Sequence, residues 1–299
     1  MNKIYLPLKL WGLVGIIVLV CVAILSQNWR ISEDDRAKSE ILNTVRLTKK
    51  TRKYHIIALG NSLLAYGLPF DNIIKEKLRK KNLDVQINRL TLSGMDSEYF
   101  VSILPQILDA KPDLIVLQSE FFSVNFNYYN IDNFHQNIVK LRTLIQPRSI
   151  DGNYYVNREY PKTSKNNLIS TCENIFFDKS EFERNAKQAY KNINIGVNEK
   201  LDSYLPFIDQ AQRSGIEVIF LEIGRSAASN QFLGDQNQAA ITDSLQKISS
   251  KTGAKVWRFP ANLSLNYYCD LAHLNNHGQK IFTNWFIDRI KLKLQKNQH

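Results

Sequence analysis

From residue 54 onward, short apolar runs alternate with longer stretches whose apolar residues recur at helical spacing, and few folds accept that rhythm. The runs lie at 54–59, 85–92, 114–117, 217–222 and 255–258, each bounded by turn-forming or charged residues. Between the second and third, Phe100, Val101, Leu104, Ile107 and Leu108 keep helical spacing until Lys111-Pro112-Asp113 breaks it. Strands joined through helices pair in parallel, because each crossover returns the chain to the same end of the sheet. The expectation is an α/β fold: a three-layer αβα sandwich around a central parallel sheet of about five strands.

The rhythm stops over 121–200, a segment rich in asparagine, tyrosine and phenylalanine. A plain connection in such a fold needs far fewer residues, so this stretch reads as an insertion near the edge of the sheet. Its aromatic start, Phe121 to Asn130, has two readings: rings that stack on sugars, or rings that pack the insertion against the body.

The other end of the chain is of a different kind. From Leu10 to Trp29 there is no charged residue, a stretch long enough to cross a bilayer as one helix. Lys3 and Lys9 precede it, which predicts a cytoplasmic N-terminus and an extracytoplasmic remainder. A cleaved signal peptide wants small residues at the exit of the run, and Ile24-Leu25-Ser26-Gln27-Asn28-Trp29 supplies them poorly. The expected organisation is an anchor over 1–29, a charged stalk over 30–53 and one large domain over 54–299.

The net charge of +11 asks for an acidic partner, an anionic lipid surface or nucleic acid. No nucleic-acid module is recognisable, and export argues against that partner. Of the three cysteines, Cys172 and Cys269 lie beyond the apolar run and are candidates for a disulfide next to Asp270, with two buried thiols as the alternative.

Two short segments carry chemistry. Gly60-Asn61-Ser62-Leu63 places a serine just after the first strand, at the carboxyl end where open parallel sheets build their sites. Asp270-Leu271-Ala272-His273 puts a carboxylate three residues before one of only five histidines. A serine hydroxyl is a weak nucleophile without a base, and an imidazole works as that base when an acid fixes its tautomer. Ser62, His273 and Asp270 are therefore the candidate nucleophile, base and orienting acid.

The two segments resemble blocks of the SGNH (GDSL) hydrolase superfamily. The second is the more specific match, continuing as His273-Leu274-Asn275-Asn276-His277-Gly278 in the family's His-Leu-Asn-x-x-Gly pattern. The resemblance spans roughly 54–294 and implies a flavodoxin-like sandwich with Ser62, His273 and Asp270 as the triad. It further implies an oxyanion hole from the amides of Ser62 and Gly94, the latter in Thr91-Leu92-Ser93-Gly94. At the third block the chain departs from the family's Gly-x-Asn-Asp and reads Gln118-Ser119-Glu120, so Gln118 stands as the substitute amide donor and Ser119 as a further hydroxyl. Arg225, after the fourth strand, is the candidate for holding an anionic group of a substrate.

No zinc spacing, phosphate loop or dinucleotide pattern is present in the sequence, so no metal or cofactor is expected. Together with the apolar run, the resemblance points toward membrane-tethered relatives of polysaccharide O-acetyltransferases and of the D-alanyl transfer protein. Three readings stay open: an O-acetyltransferase on an exported polysaccharide beside a multispanning membrane acyltransferase, an esterase acting on glycans or lipids, and a catalytically silent domain that binds glycan or scaffolds an envelope assembly.

Overall fold

The computed structural model of the chain describes residues 12–21, 53–69, 71–92, 97–126, 154–155, 178–191, 193–260 and 263–296. Residues 12–21 form helix α1, and the rest of the expected span and nearly all of the stalk lie outside the described residues. Among the described residues no helix is long and apolar enough to cross a membrane.

In chain order the first elements are β1 (Tyr54–Gly60), α2 (Ser62–Gly67), α3 (Asp71–Lys80), β2 (Val85–Leu92), α4 (Glu98–Val101), α5 (Leu104–Asp109), β3 (Leu114–Gln118) and α6 (Glu120–Ser123). Then come β4 (Val124–Phe126), β5 (Tyr154–Tyr155), α7 (Lys179–Lys191), β6 (Ile193–Ile195), α8 (Lys200–Arg213), β7 (Glu217–Glu222), α9 (Ala227–Leu233), α10 (Asp235–Thr252), β8 (Lys255–Arg258) and α11 (Asn276–Lys296).

The main sheet runs β5-β2-β1-β3-β7-β8. Its five long strands are parallel neighbours, and each coincides with one of the apolar runs. The sixth, β5, adds two antiparallel residues beside Thr91 and Leu92 and comes from within the segment read as an insertion. So short a strand has no periodicity to read, which is why the sequence pattern missed it.

Alternation along the strands divides the core in two. Ile57, Leu59, Ile115, Leu117, Val218 and Phe220 face a layer of α5, α6 and α8 residues that includes Ile107, Phe122 and Tyr204. Ile56, Ala58, Leu114, Val116, Ile219 and Leu221 face the opposite layer, where Leu64, Ile74, Leu78, Phe282 and Phe286 come from α2, α3 and α11. Fully burying a large apolar side chain is worth roughly 1.5–3 kcal/mol, against roughly 0–1 for an exposed ion pair. Phe282, Phe286, Ile287 and Ile290, all at 0% exposure, therefore hold α11 to the sheet far more than does the Lys81–Asp288 pair at its edge.

β1 has β2 on one side and β3 on the other, so successive crossovers leave it in opposite directions. In an open parallel sheet that reversal opens a crevice at the carboxyl ends of the two central strands. Ser62 follows β1 there, and Gln118 ends β3.

The segment after β3 departs and returns at one place. Gly196 N donates to Ser123 O at 3.1 Å, and Asn198 donates to Phe122 O from its backbone and to Phe121 O from its side chain. Between these points β4 pairs antiparallel with β6. Phe182, Ala186 and Tyr190 of α7 pack with Leu233, Ile241 and Leu245 of α9 and α10 in a third cluster. Phe121 and Phe122 are core residues rather than a sugar platform, with Phe122 edge-on to Tyr204 and Phe220. Residues 127–130 of the aromatic stretch lie outside the described residues.

Candidate active site

The turn after β1 is built around a glycine that admits no side chain. A Cβ at Gly60 would lie 2.5 Å from Leu64 Cβ and 2.6 Å from Gln118 Oε1, because α2 starts directly over the strand end. Asn61 then caps α2, its Oδ1 accepting from Leu63 N at 3.0 Å. Ser62 is the first helical residue, left half-exposed at the rim of the crevice. On β2, the buried Arg89 donates from Nη1 to Ala65 O at 3.0 Å and also to Leu68 O, satisfying carbonyls at the far end of the short helix.

The second turn holds itself together through its own acid. Asp270 Oδ1 accepts from Ala272 N at 2.9 Å and from His273 N at 2.8 Å, which closes the turn. Its other oxygen, Oδ2, lies 2.7 Å from His273 Nδ1. Asn275 Oδ1 caps α11 by accepting from the amides of His277 and Gly278, both at 3.0 Å, while its Nδ2 donates to Asn266 O. A Cβ at Gly278 would sit 2.2 Å from Tyr267 O. Leu274 is fully buried in the core below. The His-Leu-Asn-x-x-Gly run is therefore one device: imidazole, hydrophobic anchor, helix cap and close approach, in that order.

The two turns meet. His273 Nε2 lies 2.8 Å from Ser62 Oγ, across 211 residues of chain. Burial works to raise the pKa of Asp270, but the bond and charge of His273 and the two amides outweigh it and hold the carboxyl below its ordinary value. An ionised Asp270 requires the hydrogen of His273 on Nδ1, which leaves the Nε2 lone pair to accept from the Ser62 hydroxyl. The arrangement is a partly exposed chain of contacts from serine to imidazole to carboxylate, with a fixed tautomer, that has the geometry to pass a proton.

The other candidate residues are placed differently. Gln118 is fully buried; its Oε1 accepts from Asn61 N at 3.0 Å and its Nε2 donates to Asn61 Oδ1 at 2.9 Å. That bidentate clamp steadies the residue before Ser62 and turns the carboxamide toward Asn61. Ser119 is also fully buried, with its amide on Leu221 O and its Oγ beside Glu120. Arg225 belongs to a buried cluster with Glu120 and Glu222. Both side chains are buried, Ser119 at 0% and Arg225 at 5% exposure. The two segments that carry them are joined here, Ile223 N donating to Glu120 Oε1 at 3.1 Å and Ser119 N to Leu221 O at 3.0 Å. Gly94 and Cys172 lie outside the described residues. Cys269 is disulfide-bonded.

Burial, followed by the charge of Glu222, pushes the pKa of Glu120 up to about 7 despite the opposing Arg225. Glu222 is raised as well, by burial first, while Arg258 pairs with it at 2.5 Å. Sequence reasoning passed over Glu120, because a charged residue after a strand ordinarily reads as solvated. It also passed over Tyr66, whose ring lies 4.7 Å from that of His273. The available signal was spacing, since Tyr66 follows Ser62 by four residues on the same short helix.

No known protein-family profile matches the chain, and no curated protein does. Among solved structures it is similar to the psychrotrophic esterase EstA from Pseudoalteromonas, at 15% identity and a TM-score of 0.40, over 81% of this chain and 99% of that one. It is also similar to AlinE4, an esterase of the SGNH-hydrolase family, at 15% identity and a TM-score of 0.32, over 69% and 76% of the two chains. A third is a catalytic mutant of the acetylxylan esterase Axe2 from Geobacillus stearothermophilus, at 9% identity and a TM-score of 0.31, over 69% and 75%.

Proposed function

We propose that this chain is a serine acyl-transfer enzyme of the SGNH type, anchored by its N-terminal apolar segment and acting outside the cytoplasm on O-acyl groups of an exported or cell-surface polysaccharide. The observation that carries the reading is the Ser62–His273–Asp270 relay, with successive contacts of 2.8 and 2.7 Å. The family resemblance of the two turns and the apolar run at 10–29 support its finer parts.

The chemistry follows from the geometry. Ser62 Oγ attacks the acyl carbonyl carbon as its proton passes to His273 Nε2, and the carbonyl π electrons move to oxygen. The tetrahedral intermediate collapses, the C–O bond to the leaving alcohol breaks, and His273 returns the proton to that alcohol. Water or a sugar hydroxyl then gives its proton to His273 and attacks the acyl-serine. Collapse expels Ser62, which recovers the proton. Asp270 stays ionised throughout, holding the tautomer and stabilising imidazolium. Water as acceptor makes an esterase; a sugar hydroxyl makes an O-acetyltransferase, whose acyl supply would come from a multispanning membrane partner.

A second reading, a catalytically silent domain that binds glycan or scaffolds an envelope assembly, is favoured by one observation: the carboxamide of Gln118 faces Asn61 and not the crevice. The experiment is turnover of p-nitrophenyl acetate by the full-length protein, with and without an oligosaccharide acceptor. The proposed function predicts acetate release that depends on His273, and acetylated oligosaccharide if the transferase form holds. Folded protein with no turnover under either condition supports the silent domain.

A further inference from the structure

The proton relay explains Ser62, His273 and Asp270 but leaves unexplained why an aromatic ring lies against the base. Tyr66 and His273 have ring centroids 4.7 Å apart at an interplanar angle of 50°. Two rings lying edge to edge cannot come so close, so at least one presents its face. The face of a phenol ring carries negative charge and attracts a cation whose centre comes within about 6 Å. During the reaction His273 becomes such a cation.

Tyr66 is also held in place. It lies on α2, fixed at one end by the Asn61 cap and at the other by Arg89, and its carbonyl accepts from Gln279 Nε2 on α11 at 3.0 Å. The helix that carries the nucleophile thus carries the ring, while the helix that begins just beyond the base grips that ring's backbone. Burial, and secondarily the charge of Asp270, raise the pKa of the Tyr66 hydroxyl, so the ring stays a neutral phenol over the working pH range.

We propose that Tyr66 is a positioning residue for His273 and that the face presented is that of Tyr66, the ring steadying the imidazole between Asp270 and Ser62 and favouring the imidazolium formed as Ser62 attacks. The proposal rests on the acyl-transfer reading for its catalytic consequence and not for its physical one. The other titratable groups around the turn are Asp270 itself, Tyr267 and Tyr268 before it, His277 at the start of α11, and Tyr190 and Arg225, which lie in electrostatic reach of Asp270 or of one another.

The sign of the effect separates this role from mere cover. A ring that only shields the imidazole from water disfavours its charged form, so removing it raises the pKa of His273. A ring that attracts the cation favours the charged form, so removing it lowers that pKa. The test is an NMR pH titration of the histidine rings in the full-length protein, with the His273 signal assigned through His273→Gln, in wild type, Tyr66→Leu and Tyr66→Phe.

The expected result is a His273 pKa lower by about half a unit in Tyr66→Leu and unchanged in Tyr66→Phe, which keeps the ring and serves as the folding control. The acid limb of the kcat/KM profile for p-nitrophenyl acetate moves the same way, and kcat falls about threefold. An unchanged or raised pKa in Tyr66→Leu, with Tyr66→Phe at the wild-type value, overturns the proposal. Loss of ester turnover in the wild type overturns the acyl-transfer reading instead, and leaves the titration free to decide on Tyr66.

Discussion

Two polar clusters stand at the carboxyl edge of the same sheet, and they are opposites. The cluster of Ser62, His273 and Asp270 is half-exposed, each side chain holding one partner and the next in line. The cluster of Glu120, Glu222 and Arg225 is buried, with Arg225 acting on both carboxylates and the partly exposed Arg258 pairing with Glu222. Both contain groups with displaced pKa values, a common mark of a functional site. What distinguishes them is access: the displaced pKa of buried Glu120 reports the cost of burying charge, whereas that of partly exposed Asp270 reports a carboxylate held ionised beside His273.

The first cluster should therefore answer to mutation in activity and the second in stability. The largest effect is expected at the nucleophile. Ser62→Ala removes the covalent step and should lower kcat by as much as about a millionfold, to the residual rate that binding alone supports. Asp270→Asn keeps an oxygen for the two turn amides but frees the imidazole to take the wrong tautomer, and kcat should fall by about 10⁴ with the melting temperature little changed.

Gln118→Leu sharpens the boundary between the clusters. If Gln118 only clamps Asn61, its loss should cost on the order of tenfold in kcat with KM unchanged, together with about 1–3 kcal/mol of stability for the amide left unpaired. A loss of a hundredfold or more would return it to the role of oxyanion donor.

Glu120→Gln is the smallest effect on rate, within about twofold, and the clearest on stability. The folded state holds the Glu120 proton up to about pH 7, while the unfolded chain releases it near the ordinary carboxylate value of 4.5. Between those two values the native state binds more protons, so stability falls as pH rises through the window. Scanning calorimetry from pH 4.5 to 7.5 should show wild type losing on the order of 3 kcal/mol that the Gln variant keeps. Asp270 has the opposite sign: its pKa is depressed by folding, so its contribution is present above the unfolded carboxylate value and is lost as pH falls.

The five long strands were legible because each is an apolar run that needs no partner to be recognised. The two turns were legible because their chemistry is local: three residues separate Asp270 from His273, and Asn275 and Gly278 act within one turn of helix. The rest depends on residues distant in sequence. Gln118 meets Asn61 across 57 positions, and nothing at 118–120 announces that its side chain turns back toward the strand end. Nothing local in the sequence announces that Glu120 and Arg225 are buried together with Glu222, since the two segments that carry them are about a hundred positions apart. The strand β5 is two residues long, and only the exposed edge of β2 gives it a place.

The central claim is that Ser62 is a nucleophile activated by His273. Its most direct test is labelling of the full-length protein with a fluorophosphonate probe, followed by peptide mass mapping. The account predicts one phosphonylated serine, Ser62, with labelling abolished in Ser62→Ala and at least a hundredfold slower in His273→Gln. Folded wild-type protein that stays unlabelled at Ser62, or labels equally fast without His273, would contradict it.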